Sequence, residues 1–232
     1  MRLGLFGGTF NPVHCGHVRM AVEAREALGL DRVEFVLAAR PPHKQGEGIL
    51  PFALRWRLLS LALCGLEGYA PSLSEQLLEG PSYTVRTLED YRRRLPDAEL
   101  HFICGSTDLL CMDKWMRGRD LPMLASLAVL PRPGANRAAA RGFVASFWPE
   151  AREESPDCWR VPGGREIRLL DAPLLDVSAT LVRERFRAGR SLACLLPCRV
   201  EAALWAMRRD AEAAWGMSQA PGEGDDRPCS GD

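Results

Sequence analysis

Five short apolar runs, at residues 2–6, 32–38, 99–104, 126–130 and 166–170, alternate with segments whose apolar residues recur every three or four positions. The runs suit buried strands, and the recurrence suits helices with one buried face. Parallel neighbours need a crossover, and crossover helices cover both faces of the sheet they join. The expected class is therefore α/β, with a doubly wound parallel sheet. A chain of 232 residues with 47% hydrophobic content can bury a full core. We expect one domain over 1–215, with a helical C-terminal part at about 178–215. After that the composition turns to Gly, Pro, Ser and Asp, so 216–232 reads as a disordered tail.

Helices are expected at 18–28, closed by Gly29, at 52–64, and at 83–95, with Ser82 as N-cap and Arg92-Arg93-Arg94 at the dipole's negative end. Residues 135–155 carry a helical pattern, 156–165 are turn-rich, and 200–214 form an alanine-rich amphipathic helix. Thirty basic residues cancel thirty acidic ones, which removes any electrostatic case for general nucleic-acid or membrane binding. No run is long enough to span a bilayer, and the N-terminus lacks the apolar core of a signal peptide, so a cytoplasmic location is expected. Eight scattered cysteines without a Cys-x-x-Cys pair read as reduced thiols. Whether the chain forms a homo-oligomer is left open.

The densest chemical signal is Gly7-Gly8-Thr9-Phe10-Asn11-Pro12-Val13-His14-Cys15-Gly16-His17, between the first strand and the first helix. Two glycines would let the chain turn and bring amides close to an anion, at the positive end of the helix that follows. On a first helical turn His14 and His17 share a face. Phosphate beside them would favour their cationic form. His101, inside an apolar strand, reads as a core or strand-face residue. In open parallel sheets ligands bind at the carboxyl ends of the strands. There lie Ala39-Arg40-Pro41-Pro42-His43-Lys44, Gly105-Ser106-Thr107-Asp108 and Arg132-Pro133-Gly134. A second helix start follows the last strand, where Ser178 is a natural N-cap, Thr180 offers a hydroxyl and Arg183 a guanidinium fork for phosphate.

Residues 7–17 resemble the Gly-Gly-Thr-Phe-(Asp/Asn)-Pro-Val-His-x-Gly-His signature of nucleotidyltransferases that adenylylate small phosphate monoesters, and 178–183 resemble their Ser-(Ser/Ala)-Thr-x-x-Arg signature. Pro41-Pro42-His43-Lys44, Pro81-Ser82-Tyr83-Thr84 and residues 105–115 are similar to those of the bacterial nicotinate-nucleotide adenylyltransferases, over about residues 2–210. The resemblance implies a Rossmann-like fold and transfer of the adenylyl group of ATP to nicotinate mononucleotide. It assigns Gly7, Gly8, Thr9, Phe10, His14, His17, Gly105, Arg132, Ser178, Thr180 and Arg183 to ATP. Asn11, His43, Lys44, Tyr83, Thr84, Thr107, Asp108 and Trp115 fall to the mononucleotide. His14, His17, Lys44 and Arg183 would be the catalytic set. Mg²⁺ would arrive on the triphosphate, with no metal site on the protein. The family pattern is Gly-x-Asp after the third of the five runs, whereas this chain puts Thr107 at that place and Asp108 one later. Alternatives are an adenylyltransferase for nicotinamide mononucleotide or another phosphate monoester, or a non-catalytic nucleotide-binding regulator.

Overall fold

The computed structural model describes residues 1–42 and 48–216. His43 and Lys44, and the tail beyond Gly216, lie outside the described residues. In chain order the elements are β1 (Arg2–Gly8), α1 (Cys15–Leu28), β2 (Arg32–Leu37), α2 (Phe52–Leu63), β3 (Tyr69–Ser72), α3 (Ser74–Leu77), α4 (Thr84–Arg94), β4 (Glu99–Gly105) and α5 (Ser106–Leu109). They continue with α6 (Leu121–Leu124), β5 (Ser126–Leu130), α7 (Arg137–Phe147), β6 (Arg152–Ser155), β7 (Cys158–Arg160), β8 (Glu166–Leu169), α8 (Ala179–Arg187), α9 (Cys198–Ala206) and α10 (Arg208–Trp215). Short 3₁₀ turns cover Met112–Lys114 and Gly118–Asp120.

The described strands form one sheet in the order β3-β2-β1-β4-β5-β8-β7-β6. From β3 to β8 all neighbours run parallel, and β6 and β7 add an antiparallel hairpin. The fold is the expected α/β Rossmann-like sheet. Successive side chains point to opposite faces of a strand, and two cores follow from that period. Val33, Phe35, Leu37, Ile103 and Ala128 pack on one face, and Leu3, Leu5, Leu100, Phe102 and Val129 on the other. The winding reverses between β1 and β4, because β1 leads to β2 on one side while β4 leads to β5 on the other. That reversal opens a crevice at the carboxyl ends of both strands.

Several local expectations need correction. The helix 83–95 begins at Thr84 with Tyr83 as N-cap, and the Ser82 hydroxyl oxygen instead accepts from the Arg40 N–H at 2.9 Å. The helical pattern over 135–155 ends at Phe147, with Asn136 accepting from the Ala139 N–H as its cap. Residues 152–155 then form β6, whose four residues are all exposed. A charged edge strand shows no apolar alternation, and its pairing is supplied from β7. The half-buried edge strand β3 contains Pro71, which hid it in the sequence. The helix expected at 200–214 is two helices, α9 and α10, meeting at Met207. His101 lies buried in β4, with Glu99 at 2.9 Å from its Nε2.

Candidate active site

A cleft of about 570 Å³ opens at the reversal point and is lined on four sides. The end of β1 and its loop supply Gly7 through Asn11, and the first turn of α1 supplies His14 and His17. The β2 loop contributes Ala38, Pro41 and Pro42, and the start of α4 contributes Ser82, Tyr83 and Thr84. Thr107, Asp108, Trp115 and Arg132 close the third side, and Thr180 with Arg183 of α8 the fourth. Sequence-expected residues from both ends of the chain therefore converge. Gly105 and Ser178 do not line the cleft. Glu75, Phe102 and Met116 do, although no sequence motif singles them out.

Gly7 and Gly8 do not turn the chain. Both stay in β1, opposite Val36 and Leu37, and the left-handed backbone falls on Phe10, at φ 45°. Glycine is needed at position 8 for a different reason, since a Cβ there would stand 2.9 Å from the Phe10 ring. That ring cannot move aside: it is buried edge-on against Phe6 and His17, at centroid distances of 5.7 and 5.0 Å. Gly105 has a similar task, because a Cβ would meet Arg132 Cγ at 2.6 Å. Its absence lets the Arg132 stem lie along the end of β4.

His14 is the N-cap of α1, and its N–H donates to His17 Nδ1 at 3.2 Å. That bond leaves the His17 proton on Nε2, the tautomer that can donate to a phosphoryl oxygen. The two rings stack with centroids 3.6 Å apart. His14 is 1% exposed and its Nδ1 has no hydrogen-bond partner among the described residues. Burial, reinforced by the Arg132 charge, pushes its pKa down to about 3. In the ligand-free site His14 is thus neutral. Charging it requires an anion close enough to offset both effects.

Arg183 reaches from α8 to the Asn11 carbonyl at 2.9 Å and to Thr180 Oγ1 at 3.0 Å. The Ser178 hydroxyl oxygen accepts from the Leu181 N–H at 3.1 Å, so this side chain caps the helix that carries Thr180 and Arg183. Asn11 has its amide committed: Nδ2 donates to Gly48 O, while Oδ1 accepts from the Leu50 N–H. The side chain assigned to substrate is a bracket for the loop. Asp108 Oδ2 accepts from the Gly105 N–H at 3.2 Å, closing α5 onto β4, and Thr107 lines the cleft beside it. Trp115, half-buried, meets Phe102 edge-on at 6.2 Å and presents its ring to the opening.

Beneath the cleft Arg55, 2% exposed, donates to the carbonyls of Leu50, Thr9 and Ala38 at 2.8–2.9 Å. Burial lowers its pKa to about 10, so it remains charged and ties three loops together. It shares the buried stripe of Leu58, Leu59 and Ala62 on α2, and an arginine at i of an i, i+3, i+4, i+7 stripe was the available signal. Glu75 accepts from Thr87 Oγ1 at 2.8 Å, and burial pushes its carboxyl pKa up. Among the described residues no group of three or more His, Cys, Asp or Glu side chains is placed to hold a metal ion. No helix among them is long and apolar enough to cross a membrane.

Comparison with known proteins agrees with this geometry. Residues 5–185 match the family described as cytidylyltransferase-like. A protein of Trichlorobacter lovleyi named "Probable nicotinate-nucleotide adenylyltransferase" is 40% identical over 202 residues, covering 87% of this chain and 95% of its own. One of the same name from Maridesulfovibrio salexigens is 38% identical over 197 residues, covering 85% and 91%. The solved Plasmodium falciparum nicotinic acid mononucleotide adenylyltransferase complexed with NaAD shares the fold at TM-score 0.66 and 14% identity, over 90% of this chain and 97% of that one. With the glycine-histidine loop, the stacked histidines and the arginine of α8 facing one crevice, this chain belongs to the cytidylyltransferase-like family and, within it, to the nicotinate-nucleotide adenylyltransferases.

Proposed function

We propose that the protein transfers the adenylyl group of ATP to nicotinate mononucleotide, giving deamido-NAD and pyrophosphate. One observation carries the reading: a single cleft is lined both by a histidine pair and Arg183 and by Tyr83, Thr84 and Trp115. The substrate's own phosphate oxygen attacks the α-phosphorus of ATP in line. The bond from that phosphorus to the pyrophosphate oxygen breaks, so no protein nucleophile is required. The work left to the protein is to hold two anions together and to stabilise charge on the leaving group.

In this reading the positive end of α1 and the His17 Nε2–H face the α-phosphoryl group. His14 takes up charge only as phosphate arrives. Arg183 and Thr180 hold the β,γ-phosphates, with Arg132 adding positive charge across the cleft. Tyr83 and Thr84 open α4, whose Thr84 and Val85 amides at the first turn suit the nicotinate carboxylate, and Trp115 offers its ring to the pyridine. Lys44 and His43 add charge from the β2 loop. ATP enters as its Mg²⁺ complex. Asp108, a cleft carboxylate after β4, accepts from a backbone amide.

The test supplies Mg-ATP with nicotinate mononucleotide, nicotinamide mononucleotide or phosphopantetheine and follows pyrophosphate and the adenylylated product. The nicotinate substrate should be preferred, and His17→Ala should lower kcat by about a hundredfold or more. Turnover confined to another acceptor, or ATP binding without turnover, would refute the assignment.

A further inference from the structure

The matched family region ends at residue 185, yet the last residue of α10 reaches back into the active-site loop. Trp215 is 4% exposed, and its Nε1–H donates to Asn11 Oδ1 at 3.2 Å. The same oxygen accepts from the Leu50 N–H at 3.0 Å, and Nδ2 donates to Gly48 O at 2.6 Å. Two donors on one amide oxygen fix which way the carboxamide points. With that orientation set, the Asn11 backbone carbonyl is left to accept from Arg183.

Helix α8 grips both ends of this link. Arg183 holds the Asn11 carbonyl, and Arg187, one turn later on the same face, donates to the Trp215 carbonyl. Phe186, between them in sequence, packs edge-on against the Trp215 ring at 5.3 Å. Asn11, Trp215 and α8 thus form a closed circuit around the loop that carries Thr9 and Phe10 into the cleft.

We propose that Trp215 is a positioning residue for the nucleotide-binding loop: through Asn11 it sets the loop on which Arg183 and the first turn of α1 meet ATP. The inference rests on the assignment of this end of the cleft to ATP. It does not depend on which acceptor is used.

The primary measurement is therefore the dissociation constant for Mg-ATP, by calorimetry, in the wild type, Trp215→Phe, Asn11→Ala and the double variant. Trp215→Phe keeps an aromatic ring against Phe186 and removes the donor. Losing one hydrogen bond to a neutral acceptor should weaken ATP binding about three- to tenfold. Trp215→Phe should add no further loss in the Asn11→Ala background. In turnover the loss should appear in kcat/KM for ATP, with KM for the acceptor unchanged. Arg187→Met, outside the cleft, should act in the same direction by releasing the Trp215 carbonyl, and it serves if Trp215→Phe is too unstable to study. Unchanged ATP affinity in both variants, or independent losses in the double variant, would overturn the proposal. Wild-type ATP binding without adenylyl transfer would instead refute the proposed reaction and leave this test standing.

Discussion

The neutrality of His14 makes a prediction whose size follows from the site. In the unfolded chain this imidazole takes up its proton near pH 6.5, whereas in the folded protein it does so only near pH 3. Between those values the unfolded state binds one more proton, so folding weakens as pH falls, by roughly 1.4 kcal/mol per pH unit. The contribution is fully present above pH 6.5 and is lost progressively toward pH 3. Going from pH 6.5 to 5 should therefore cost the wild type about 2 kcal/mol more than a variant that cannot titrate at this position. His14→Asn is the variant of choice, because Asn suits the N-cap position that His14 occupies. Urea denaturation at pH 7, 6.5, 6, 5.5 and 5 would give ΔG for both proteins. His101, also buried and also lowered, contributes to both curves and cancels in their difference. Parallel curves would refute the claim that burial and Arg132 hold His14 neutral. A coupled outcome tests the same reasoning with ligand: ATP binding at pH 5.5 should draw a proton into the wild type and none into His14→Asn, read by calorimetry in buffers of different ionisation enthalpy.

Gly8→Ala should lower kcat/KM at least tenfold and cost about 1–3 kcal/mol of stability, measured by denaturation, because the new Cβ must displace the buried Phe10 ring. Arg55→Met would leave the carbonyls of Leu50, Thr9 and Ala38 without their donor, and should lose about 3 kcal/mol or more in a urea titration. A loss under 1 kcal/mol would show that those loops find other donors. Ser178→Ala should reduce stability by about 1 kcal/mol with little change in the ATP dissociation constant, because its hydroxyl caps α8. A tenfold loss of ATP affinity would instead put that hydroxyl on a phosphate.

The strand-helix alternation made the sheet legible, and the glycine-histidine and Ser-x-Thr-x-x-Arg segments located most of the site, because each is a local pattern with a local physical cause. The continuous apolar runs of β1, β4 and β5 and the N-cap at Ser178 are of this kind. Three features were illegible for the opposite reason. The edge strand β6 is charged and exposed, so its strand character exists only through pairing with β7. Gly8 looked like a turn glycine, and the Phe10 ring packed over it emerges only in three dimensions. The neutral state of His14 in the free site comes from burial, a property of everything packed around it.

The sequence by itself determined the class of fold, the five parallel core runs with helices between them and the chemical types gathered for phosphate, since these depend on residues near one another in the chain. Only the tertiary structure decided the rest. It brought Arg183 to Asn11 across 172 positions and Trp215 to the same residue across 204. It placed Arg55 under three loops and set the protonation of His14. Those outcomes depend on distance, desolvation and the geometry of donors from remote segments, none of which a linear pattern encodes.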